Sequence, residues 1–90
     1  MDSIIIKFQS SIETANRPKT FEVKANIVTV TAAAIERTLA KFKRDINTWL
    51  LFGNVPMDVV LVSTGEVVAS GWYEYNAFAG SGEYSFKLNH

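Results

Sequence analysis

Ninety residues, 48% of them hydrophobic, suffice for one core and point to a single domain over residues 1–90. Nine basic and nine acidic side chains cancel, and the sequence pI of about 6.6 excludes both a protein that coats nucleic acid by charge alone and an acidic DNA mimic. The chain has no cysteine, no run near the roughly 18 apolar residues of a membrane span and no basic-then-apolar leader, which sets aside disulfides, thiolate chemistry and membrane insertion and makes a cytoplasmic location the expectation.

The run Ser3 to Gln9 is β-branched, with Ile4, Ile6 and Phe8 on one side, and reads as the first strand. Ser10 to Lys19 is polar and holds Asn16-Arg17-Pro18-Lys19, where proline biases Arg17 away from helix, so an exposed connection is expected. Phe21, Val23, Ala25 and Ile27 alternate with Glu22, Lys24 and Asn26, the period of a strand with one buried face. The phase slips after Ile27, placing a bulge or an end there, and Thr31 reads as a helix N-cap.

From Ala32 to Leu51, Ile35, Leu39, Phe42, Ile46, Trp49 and Leu50 recur at steps of three and four. At about 100° per residue they fill an arc of roughly 100°, a core-facing helical stripe. Gly53 is the expected left-handed C′ residue and Pro56 the stop, which ends the helix near Phe52. Val59 to Val62 then reads as a strand, Thr64-Gly65 as a tight turn and Glu66 to Phe78 as a longer return strand, with Gly71 marking a bulge that leaves the facing of Trp72, Tyr73 and Tyr75 open. Gly80-Ser81-Gly82 is a second turn, and Tyr84, Phe86 and Leu88 form one face of a terminal strand.

The order is ββαβββ, an α+β fold with a mostly antiparallel five-stranded sheet and one helix packed on one face. Five strands at about 4.8 Å span roughly 20 Å, whereas a helix with side chains is about 10–12 Å across. Half of the sheet face lies beyond its reach. Either the sheet curls round the helix or apolar residues meet another molecule; the charged fraction of 20%, below the roughly 25% usual, favours the second.

Catalytic chemistry finds little purchase. The single histidine, His90, ends the chain, where a base is seldom held rigidly, and zinc would need several Cys or His ligands. The carboxylates are scattered singly, although folding could bring Glu74 and Glu83 together across the last hairpin. Gly80-Ser81-Gly82 begins like a dinucleotide fingerprint but lacks the third glycine and precedes a strand. These features imply no catalytic residue, no metal site, no cofactor and no enzyme activity.

Two surfaces could bind. Arg37, Lys41 and Arg44 lie about 180–240° from Ile35 and form a basic line that solvent, an acidic protein surface or nucleic acid could satisfy. Trp72, Tyr73, Tyr75 and Phe78 stand so close in sequence that they must project on both sheet faces. They suit core filling, a protein interface including self-association, or base stacking, the last disfavoured by the flanking Glu74 and Glu83. In its size, its lack of cysteine, its element order and its aromatic, glycine-punctuated end (Gly71-Trp72-Tyr73 and Phe78-Ala79-Gly80-Ser81-Gly82), the chain resembles small phage and mobile-element proteins, the anti-CRISPR inhibitors among them. That resemblance implies a cofactor-free protein that blocks a host complex by binding it, and it assigns no residue a role. A protein partner is thus the first expectation, a nucleic-acid partner the second and a homodimer the third.

Overall fold

Isoleucine, valine and phenylalanine at alternate positions make β1 (Asp2–Gln9) and β2 (Thr20–Ile27), as read from the sequence, in a computed structural model that describes residues 2–10 and 18–89. Helix α1 (Ala32–Leu50) and strands β3 (Phe52–Leu61), β4 (Val67–Asn76) and β5 (Ser81–Leu88) follow. The strands form one sheet in the order β2-β1-β3-β4-β5 with every neighbour antiparallel, and the protein is α+β with the order ββαβββ. Most of the predicted connection, residues 11–17, and His90 lie outside the described residues.

The centre of the sheet is its most apolar part. Ile4, Ile6 and Phe8 of β1 and Met57 and Val59 of β3 are buried completely or nearly so beneath Ile35, Leu39, Ile46 and Leu50 of α1. Each such side chain contributes about 1.5–3 kcal/mol by leaving water. Thr31 caps the helix as expected: its backbone is extended and its Oγ1 accepts the Ala34 N–H at 3.1 Å. At the other end of the core Trp49 stacks on Phe21 with ring centroids 5.5 Å apart, and its Nε1 donates to the Pro18 carbonyl at 2.8 Å.

Four local expectations are corrected. The helix ends at Leu50 and its C-cap is Leu51 at φ 64°, not Gly53, which also has a positive φ but already lies in the next strand. Strand β3 begins at once at Phe52, so Pro56 lies inside a strand and not before one. Register explains its tolerance: Val62 donates to the Ser3 carbonyl, and the alternation of paired residues would turn an amide at position 56 toward Gln9, where the β1–β3 ladder has just ended at Phe8↔Met57. Gly71 is not a bulge. Its pairings with Met57 and Phe86 are regular, whereas the register shifts between Val59 and Val60, leaving Val68 as the extra residue. Finally, β4 ends at Asn76 and the turn occupies 77–80, so Phe78 leaves the strand while Ser81 and Gly82 join β5.

Candidate protein-interaction site

The passage from helix to strand takes one residue. Leu51 turns the chain at φ 64°, ψ −61°, a conformation that costs a non-glycine residue about 1–3 kcal/mol. Two bonds hold it: its N–H donates to the Asn47 carbonyl and its carbonyl accepts the Ala77 N–H, each at 2.9 Å. The second bond ties the helix end to the β4–β5 turn.

That turn is braced by one side chain. Asn76 Oδ1 accepts the N–H groups of Phe78 at 3.0 Å and Ala79 at 3.3 Å, and the Asn76 carbonyl accepts the Gly80 N–H at 2.9 Å. Gly80 closes the turn at φ 67°, where glycine carries no steric penalty. The Phe78 backbone is therefore fixed while its ring is 91% exposed, 6.1 Å from the ring of Phe52, itself 56% exposed. Leu51, 49% exposed, completes the group. No charged residue occurs in 50–57 or 75–82, so the protrusion is apolar and uncharged.

The four aromatic residues singled out in the sequence divide among three environments. Tyr73 is buried on the helix side; its ring packs edge-on to Phe8 at 5.7 Å and its hydroxyl donates to Asn47 Oδ1 at 2.7 Å. Burial first, then the charges of Tyr84 and Tyr75, raises its pKa above the ordinary 10.0. Tyr75 is half-buried against the same core. Trp72 is half-buried on the opposite face, where it pairs with the exposed Pro56, and Phe52 lies on that same face of β3. Only Phe78 projects freely.

Leu51 and Phe52 were missed as surface residues, yet the sequence carried a signal. A continued helix would put Leu51 about 160° from Ile35, on the polar side. An apolar residue out of phase there marks the helix end and an unburied side chain.

The basic line also divides. Arg37 and Lys41 join Lys24 of β2 in lining a cleft of about 930 Å³ between the end of β2 and the start of α1, with hydroxyl and amide groups of Ser3, Asn26, Thr29 and Thr31 and no carboxylate among the lining residues. Arg44 is exposed but outside that lining. Glu74 and Glu83 do lie directly opposite each other across the hairpin, both exposed. Among the described residues no three His, Cys, Asp or Glu side chains gather, and no helix is long and apolar enough to cross a membrane.

Compared with known proteins, the chain matches no family model, no curated protein and no solved structure.

Proposed function

We propose that the protein is a non-catalytic interaction module that binds a protein partner stoichiometrically through the Leu51–Phe52–Phe78 protrusion, in the manner of a phage or mobile-element inhibitor of a host complex. The observation that carries this reading is an almost fully exposed Phe78 on a turn with a fixed backbone. Burying such a ring in a partner's cleft returns about 1.5–3 kcal/mol, and a braced turn forfeits little entropy on docking. A stable interface takes about 800 Å² from each side, more than three side chains supply. The outer-face residues Pro56 and Trp72, next to Phe52 along the sheet, extend the surface in that direction. Aromatic anchors with an uncharged surround are the usual centre of such interfaces.

Affinity capture from the cells that make the protein tests this. Wild type is expected to retain a partner near one-to-one, Phe78→Ala to lose it at least tenfold, and Trp72→Ala to weaken it. Retention undiminished by Phe78→Ala would refute the proposal.

The cleft lined by Lys24, Arg37 and Lys41 favours one second reading, a nucleic-acid site in which these cations meet phosphates. Three contacts imply a log-log salt slope of about −2 to −3. A fluorescent oligonucleotide titrated at several salt concentrations measures that slope, and salt-independent binding, or none, would reject it.

A further inference from the structure

We infer that the outer edge of β5 is a self-pairing surface, and that two copies of the chain join β5 to β5 about a two-fold axis at Ser85. β5 ends the sheet, and among the described residues no strand lies beyond it. Its hydrogen-bonding parity is set by Asn89, whose N–H donates at 2.9 Å to the carbonyl of Val68, one step beyond the last register pair Ala69↔Leu88. Alternation then turns the odd-numbered residues of β5 toward β4 and leaves the N–H and C=O of Gly82, Tyr84, Phe86 and Leu88 facing outward.

A two-fold antiparallel pairing joins residues of equal parity, so the outward groups of one copy can meet those of the other. Centred on Ser85 it aligns Gly82 with Leu88 and Tyr84 with Phe86, giving about eight main-chain hydrogen bonds, two in each of four pairs. The same register sets Glu83 opposite Lys87, twice, on the outer face. It also sets Tyr84, 37% exposed, beside the half-buried Phe86 of the other copy on the helix side. Within one chain those rings already stack, Tyr73 on Tyr84 at 6.2 Å and Tyr84 on Phe86 at 6.0 Å, so pairing carries an existing aromatic row across the axis. Shifting the centre by one residue puts Glu83 against Ser85 or Lys87 against Ser85 and discards the charge match.

The devices that blunt an edge are scarce here. β5 has no proline, its register with β4 is unbroken by a bulge, and its two charges are the self-complementary pair. The other edge, β2, could also align Glu22 with Lys24 about Val23. There, however, Arg37 and Lys41 flank the strand, and pairing would bring four like charges together, while the inward residues Val23 and Ile27 are already buried and only Phe21 and Ala25 stay half-buried. In the β5 dimer the two Phe78 turns lie at opposite ends of the joined strands, with their Ser81 residues about 26 Å apart.

Sedimentation equilibrium of the full chain between about 1 and 200 µM tests the pairing, against a monomer of 10.0 kDa. Wild type is expected to move toward twice that mass with rising concentration. Glu83→Lys and Lys87→Glu, which oppose like charges across the axis, are each expected to weaken dimerisation at least tenfold, and the double exchange to restore it. Glu83→Lys gains Glu74 as an in-chain partner, so the fold is retained, and circular dichroism checks this. A monomer at every concentration, single variants that dimerise like wild type, or a double variant that stays monomeric would each overturn the inference. Phe78→Ala should leave the dimer intact, so this test and the capture experiment fail independently.

Discussion

Gly71 lacks a side chain because another strand occupies the space. A Cβ there would lie 1.9 Å from the Ser85 carbonyl oxygen and 2.6 Å from Phe86 Cα, both backbone atoms that cannot step aside. Gly71→Ala is therefore expected to lower stability by about 2–3 kcal/mol in urea denaturation, against about 1 kcal/mol for Gly65→Ala, where only the positive φ objects. Sequence alone flagged Gly71 as special but assigned the wrong cause, because the approach of Phe86 is a long-range contact without local trace. Tyr73 shows the same limit. Its position in an aromatic run was plain, yet its burial and its bond to Asn47 depend on which face the strand turns to the helix. Its raised pKa means that the unfolded chain releases the phenolic proton first. Its contribution to stability is thus complete below pH 10 and declines as pH rises from there through the folded-state pKa. Tyr73→Phe should cost about 1 kcal/mol at neutral pH through the lost hydrogen bond, and its stability should fall less than that of wild type above pH 10.

At the scale of elements, α1 was the most legible. Its stripe and its Thr31 cap follow from spacing, with Ile35, Leu39, Ile46, Trp49 and Leu50 buried as expected, Phe42 only half-buried, and the small Ala34 and Thr38 joining them. Strand β3 was only half read. Gly53 and Pro56 look like loop punctuation, and what lets Pro56 be a strand residue is the point at which the neighbouring β1 ladder stops. The helix end at Leu51 leaves a trace in the phase of the stripe, but its backbone conformation does not: a positive φ on leucine is imposed by its bonds to Asn47 and Ala77, not by local preference. Leu51→Gly is expected to raise stability by about 0.5 kcal/mol or more, since relief of the strained φ outweighs the contacts of a half-exposed side chain. The same variant should bind its partner less tightly. A fall in melting temperature with Leu51→Gly would show that the positive φ at this position carries no net strain.

For the whole molecule, the mismatch between one helix and five strands proved real but confined. The molecule is only 19 Å along its shortest axis, two layers, and the inner-face residues at the centre of β1 and β3, Ile4, Ile6, Phe8, Val55, Met57 and Val59, are sealed. The outer sheet face is no greasy surplus, for it mixes Lys7, Glu22, Lys24, Asp58 and Lys87 with the half-buried Ile5, Val60 and Trp72. Unsheltered apolar surface remains at β5 and at the Leu51–Phe52–Phe78 end, with Val28, Val62 and Val67 exposed elsewhere. Composition could state that such surface exists, but only register and turn geometry place it. In the proposed complex Phe78, and not exposure in general, makes the contact. A photoreactive benzoylphenylalanine in place of Phe78, compared with the same group in place of Val28, which is 80% exposed beside the basic cleft, tests it in the producing cells. One discrete crosslinked protein from position 78 and none from position 28 is the result expected. Equal crosslinking at both positions, or none at 78, would contradict it.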